Sequence, residues 1–158
     1  MYISSLKIKV VATYSGDRLL HNRSGRCACG NVSYTLSEAP KWTALCHCDD
    51  CRRACSAPVV AWMGCADDKV HWKGTLKTRS SSKVGTRGFC PECGSQLSFI
   101  SSRWPGEMHL YAATLDDPSE YSPDLHCYTS EHLDWLNIED NKPRYPKSAP
   151  GSLPVSRD

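Results

Sequence analysis

The sequence predicts a mainly β domain held together by clustered cysteines. Three observations carry that prediction. Apolar and polar residues alternate over most of the chain, the period-two signature of half-buried strands. Only two short stretches have helical character. Seven of the ten cysteines fall into three tight groups, and each group sits at the end of a predicted strand. A length of 158 residues fits one domain with a modest core. The 40% hydrophobic and 23% charged residues are ordinary globular values.

In chain order, residues 1–22 form an N-terminal extension in which Ile8, Val10 and Ala12 alternate, a pattern that fits either an added strand or an unstructured lead-in; a polar stretch follows to Ser24. The domain proper spans 23–140. Val32, Tyr34 and Leu36 alternate with Asn31, Ser33 and Thr35 in a half-buried strand. Residues 42–45 lead directly into the second cysteine group. Residues 49–55 predict a short helix, capped by Asp49 or Asp50. The apolar, β-rich run 58–63 ends near Gly64. Short strands at 70–74 and 76–79 flank a turn at Gly74. Residues 88–89 enter the third cysteine group and 96–100 leave it. The pattern continues through 107–115 and 125–128. Between these two, 117–121 predicts a second short helix with Pro118 in its first turn. The tail, 141–158, carries Pro143, Pro146, Pro150 and Pro154 and reads as extended coil.

Net charge is +2, unevenly placed: residues 1–100 carry 14 Lys/Arg against 7 Asp/Glu, the remainder 5 against 10. A basic half is of the kind that attracts anionic small molecules or nucleic acid, with solvated surface charge and no partner as the simpler explanation. The chain has no run of five Lys/Arg and no basic stripe interleaved with aromatics, so nucleic acid is not an expected partner. No segment approaches the ~18 consecutive apolar residues of a membrane span. The N-terminus lacks the apolar core of a secretion signal. Ten cysteines in that setting favour metal binding in a reducing cytoplasm over disulfides.

The cysteine groups are Cys27-x-Cys29-Gly30, Cys46-His47-Cys48-x-x-Cys51 and Cys90-Pro91-Glu92-Cys93-Gly94. Glycine after a cysteine pair permits the positive φ with which backbone wraps a metal knuckle. Cys27, Cys29, Cys90 and Cys93 together offer four thiolates, the closed set of a structural zinc site. Cys46, Cys48 and Cys51 offer three and leave a position for water or substrate, the pattern of a catalytic site. Cys55, one helical turn after Cys51, is the best local candidate for a fourth ligand, though a small buried thiol is the simpler explanation. His47 points away from its neighbours if the segment is extended. Cys65 and Cys127 have no partner at metal spacing. Another pairing stays open, in which Cys48, Cys51, Cys90 and Cys93 form a zinc ribbon and leave Cys27, Cys29 and Cys46 over. Gly30 and the completeness of the Cys-x-Cys-x-x-Cys triplet favour the first arrangement.

Gly25-Arg26-Cys27-Ala28-Cys29-Gly30-Asn31-Val32, Cys46-His47-Cys48-Asp49-Asp50-Cys51-Arg52 and Arg87-Gly88-Phe89-Cys90-Pro91-Glu92-Cys93-Gly94-Ser95 resemble, in this order, the glutathione-dependent formaldehyde-activating enzyme family, also called the centromere protein V domain family. The resemblance covers about 23–140, including Ala61-Trp62, the stretch 114–118 and Leu133-Asp134-Trp135-Leu136. It implies an Mss4-like fold of strongly bent antiparallel β-sheets with one or two short helices. It also implies two zinc ions per chain: a structural one at Cys27, Cys29, Cys90 and Cys93, and a catalytic one at Cys46, Cys48 and Cys51. The implied reaction is carbon–sulfur lyase chemistry on a thiol–aldehyde adduct, joining formaldehyde and glutathione into S-hydroxymethylglutathione. The extension 1–22 matches no motif of the family, and no glutathione-binding set is identifiable residue by residue.

A zinc-held thiol becomes nucleophilic as its pKa falls towards neutrality. Arg52, Arg53 and Arg87 flank the motifs and are candidates for a substrate carboxylate, with plain surface charge as the simpler explanation. Trp62 and Phe89 either wall a pocket or pack in the core. The competing class is a non-enzymatic zinc module that binds protein or nucleic acid. An occluded second metal would favour that class, and an open one the enzyme.

Overall fold

The computed structural model describes residues 23–149. The alternation at Ile8, Val10 and Ala12 lies outside them, as does the tail from residue 150. The strands are β1 (Arg23–Arg26), β2 (Ser33–Leu36), β3 (Trp42–Cys46), β4 (Val60–Ala66), β5 (Val70–Lys73), β6 (Lys77–Ser80), β7 (Gly85–Phe89), β8 (Gln96–Ser101), β9 (Glu107–Tyr111) and β10 (Leu125–Cys127). The helix α1 (Asp49–Cys55) is the one α-helix among the described residues. A three-stranded sheet has the order β1-β2-β5, and a seven-stranded sheet β10-β3-β4-β9-β8-β7-β6. The mainly β expectation holds. All pairings are antiparallel except β10 with β3, which is parallel.

Alternation along the large sheet divides its side chains between two faces. One face carries Met63, Cys65 and Leu110 and meets Tyr34, Leu36 and Val70 of the small sheet. Met63 and Leu110 are completely enclosed. Burial of such side chains stabilises by about 1.5–3 kcal/mol each. The register Cys127↔Cys46↔Val60, Trp62↔Tyr111 and Arg87↔Phe99↔His109 places those side chains together on the other face. Phe99, Tyr111 and Trp62 pack there with the cysteines of the second group. This face carries the chemistry.

Local departures from the sequence reading have local causes. β1, Arg-Ser-Gly-Arg, shows no apolar alternation, because it is held by its pairing with β2 rather than by a buried stripe. Gly74 does turn, at φ 86°, but it passes the chain from the small sheet to the large one, so β5 and β6 are not partners. β9 stops at Tyr111, and a single 3-10 turn (Ala112–Thr114) carries Leu115 into the core. The second predicted helix is likewise one 3-10 turn (Pro118–Glu120), capped by Asp117. Cap duty on α1 falls to Cys48 rather than Asp49 or Asp50. The chain is still extended at Cys48, whose Sγ accepts the Cys51 N–H. Asp49 and Asp50 instead place negative charge in the first turn.

Part of the tail is ordered along β10. His126 donates its N–H to the Pro143 carbonyl and accepts from the Tyr145 N–H, and Tyr128 donates to the Lys147 carbonyl. No helix among the described residues is long and apolar enough to cross a membrane.

Candidate metal centres

The sulfurs of Cys27, Cys29, Cys90 and Cys93 all lie within 4.8 Å of one another. Two knuckles of like construction bring them there. Gly30 N–H donates to the Cys27 carbonyl, and Gly94 N–H to the Cys90 carbonyl; φ is 81° and 74° at the two glycines, as their place in the motif predicts. In each knuckle the first cysteine is buried and the second exposed. The Val32 N–H donates to Cys27 Sγ at 3.3 Å, and the Ser95 hydroxyl lies 3.1 Å from Cys93 Sγ. That hydroxyl, with the Ser95 backbone N–H, holds the Cys93 thiol down at about 5. The donors are all sulfur and fit a borderline-soft, tetrahedral ion such as zinc. The ribbon pairing of Cys48 and Cys51 with Cys90 and Cys93 does not form.

The second centre gathers Cys46, Cys48 and Cys51, again within 4.8 Å of one another. β3 ends at Cys46 and α1 begins at Asp49, so one strand-to-helix turn supplies all three sulfurs. Cys46 and Cys48 are buried and Cys51 partly so. Cys55 stands outside the group, its thiol turned to the Tyr111 hydroxyl. Cys127 is no isolated strand residue. It pairs in register with Cys46, and its sulfur lies against that of Cys46. Hydrogen bonding with Cys127, then with Cys48 and Cys51, pushes the Cys46 thiol up. Bonds from Cys46 and Cys48, and the charge of Arg87, hold Cys51 well below the usual thiol range.

Arg87 is the residue that sequence reasoning misjudged. It is 1% exposed rather than a surface charge. Its Nη1 donates to the Tyr111 hydroxyl at 2.7 Å and its Nη2 to Asp50 Oδ2 at 2.9 Å. The guanidinium also lies 4.9 Å over the Phe99 ring. Held by Tyr111 and Asp50, it places a fixed positive charge beside Cys51. The signal was its position on a strand that runs into a cysteine knuckle, one residue from Gly88. Arg52 donates to the His47 carbonyl and to Asp49, while exposed Arg53 pairs with Asp49 at 2.9 Å. Trp62 is buried on the cysteine face; Phe89 ends β7, where it pairs with Lys77 and Gln96.

His47 points away from the sulfurs, as alternation predicts, and into a buried relay that sequence did not reveal. Its Nε2 lies 2.8 Å from His126 Nδ1, and His126 Nε2 lies 2.8 Å from Asp140 Oδ2. Asp140 accepts only, so His126 carries its proton on Nε2 and accepts at Nδ1 from the His47 Nε2–H. Burial, then the neighbouring His126, pushes the His47 pKa down to about 4, which keeps the ring neutral. Arg144 completes the latch on Asp140 Oδ1 at 3.1 Å. The relay ties the ordered tail to the turn that carries Cys46 and Cys48.

With this geometry established, comparison with known proteins is informative. The model of the family described as glutathione-dependent formaldehyde-activating enzyme matches residues 22–131. A Halomonas elongata protein, provisionally named a glutathione-dependent formaldehyde-activating enzyme, is 27% identical over 125 residues, covering 73% of this chain and 80% of that protein. A Schizosaccharomyces pombe protein described as an uncharacterized lyase is 33% identical over 76 residues, or 48% of this chain and 55% of that one. The crystal structure of a Rhodobacter sphaeroides protein, 18% identical, aligns over 77% of this chain and 98% of that one with a TM-score of 0.49.

Proposed function

Since this chain belongs to the glutathione-dependent formaldehyde-activating enzyme family, we propose that it is a zinc-dependent enzyme that makes or breaks the carbon–sulfur bond of a thiol–aldehyde adduct. Glutathione and formaldehyde are the proposed substrates and S-hydroxymethylglutathione the product. Cys27, Cys29, Cys90 and Cys93 hold a structural zinc, and Cys46, Cys48 and Cys51 a catalytic one. The observation that carries this reading is the contrast in donor number: four converging sulfurs in one group and three in the other. The ten free cysteines suit a reducing, cytoplasmic setting.

Cys46, Cys48 and Cys51 would hold the zinc ion, which would supply Lewis acidity and favour the thiolate form of an incoming thiol. The protein's own groups set the surroundings. Buried Arg87, beside Cys51, offsets part of the net negative charge of the thiolate set. Trp62, Phe99 and Tyr111 give the site apolar walls that strengthen this electrostatic effect. The chain from Asp140 through His126 to His47 fixes the turn from behind. In the forward direction the thiol gives up its S–H proton and its sulfur bonds to the carbonyl carbon. The carbonyl π pair moves to oxygen, which takes a proton to become the hydroxyl of the adduct, and the reverse reaction retraces these steps.

NMR exchange between free glutathione and its formaldehyde adduct tests the proposal. The zinc-loaded protein is expected to accelerate exchange well above buffer, and Cys48→Ser to abolish the acceleration. Wild-type protein that leaves the exchange rate unchanged would refute it.

A further inference from the structure

Tyr128 combines two energetic costs beside the second cysteine group. Its φ is 57°, in the left-handed region; among the described residues only Ser56 shares that region without being glycine. A tyrosine there is strained by its Cβ. The strain has a geometric result. Cys127 faces Cys46 across the β10–β3 pair, so an extended residue 128 would point to the opposite face of the sheet. The left-handed turn returns the ring to the sulfur side. There it packs against the cluster formed by Cys46, Cys48, Val60, Trp62 and Tyr111, within electrostatic reach of Cys46, Cys127, Cys48 and Cys51.

The second cost is the phenol itself. Its oxygen is buried and has no hydrogen-bond partner. A buried hydroxyl without a partner destabilises a protein, and phenylalanine would fill the same space without that penalty. Strained backbone and unsatisfied polar groups concentrate where a ligand supplies the missing interaction. A ligand held by the three sulfurs would meet this hydroxyl.

We propose that Tyr128 is a catalytic hydrogen-bond donor whose hydroxyl binds the oxygen of the carbonyl substrate, and of the adduct, at the Cys46–Cys48–Cys51 site. This rests on the carbon–sulfur reading above. As the thiolate sulfur bonds to carbon, the π pair of the carbonyl collects on oxygen. Tyr128 stabilises that developing charge with its O–H and keeps its own proton. Water protonates the oxygen, matching the proton that the thiol released on binding.

Tyr128→Phe in the zinc-loaded protein separates this role from a structural one. Melting temperature and zinc content are expected to stay level or rise, because an unsatisfied group has been removed. At the same time kcat should fall by about 100-fold, as for loss of one preorganised donor, with KM for glutathione unchanged. Wild-type kcat in Tyr128→Phe would overturn the proposal while the proposed function stood. A lower melting temperature in parallel with lost turnover would overturn it too, by showing that the hydroxyl holds the fold. If wild-type protein shows no turnover, the proposed function itself fails and takes this role with it.

Discussion

The two cysteine groups use the same donor atom in opposite settings. Cys29 and Cys90, 61 residues apart, meet at 3.7 Å, so the four-sulfur group joins distant parts of the chain at the domain surface. The three-sulfur group comes from one strand-to-helix turn and sits among aromatic rings, a buried arginine and a buried histidine pair. Closing a long loop is what stabilises a fold, whereas local chelation adds little to it. A local turn, however, can be packed and charged on every side by neighbours that do not ligate. The lesson is that the group with fewer sulfurs has the more elaborate surroundings, which suits the proposed catalytic role.

The largest effect that sharpens this contrast is loss of the staple. Cys90→Ser should leave little folded protein at 37 °C, since structural metal sites of this type can contribute on the order of 10 kcal/mol. Cys48→Ser should still melt cooperatively in circular dichroism. Equal damage from both would erase the distinction.

Next in size is Arg87. Arg87→Met removes the hydrogen bond to Tyr111 and the charge facing Cys51, and should cost about 2–3 kcal/mol in urea unfolding. Zinc at the four-sulfur group should be retained. Asp50 is 69% exposed on its side chain and can rehydrate, so its lost ion pair adds little.

The relay gives a pH signature of similar scale. His47 titrates at about 4 when folded and near 6.5 when unfolded. Between those values the unfolded chain binds the extra proton, so stability falls as pH drops from 6.5 towards 4 and is fully present above 6.5. The contribution is on the order of 3 kcal/mol. His47→Asn should flatten that part of the wild-type profile in denaturant titrations across pH. An unchanged slope would remove His47 from the account. The smallest effect belongs to Arg53, whose exposed pair with Asp49 predicts a change of about 0.5 kcal/mol or less for Arg53→Ala, with zinc content unaltered.

Much of the first group and the backbone frame was legible in the sequence. Knuckle glycines, cysteine spacing and period-two alternation are local signals, and the structure places Gly30, Gly94, β2, β3 and α1 where those signals put them, while β4 runs past Gly64 to Ala66. What escaped depends on contacts between distant segments. The burial of Arg87 follows from β7 pairing with β8 and from α1 closing over the face. The His47–His126 contact spans 79 residues, and Asp140 arrives on a proline-rich stretch with no periodic pattern. Cys127 looked isolated because only the parallel pairing of β10 with β3 sets it beside Cys46. Tyr128 looked like an ordinary strand residue because nothing in its neighbours announces a left-handed backbone.

Zinc measured per folded chain, by elemental analysis of protein purified without added metal, tests the division most directly. Two ions are expected in wild-type protein and one in folded Cys48→Ser. A single ion in wild-type protein, or a Cys48→Ser protein that keeps both or loses both, would contradict it.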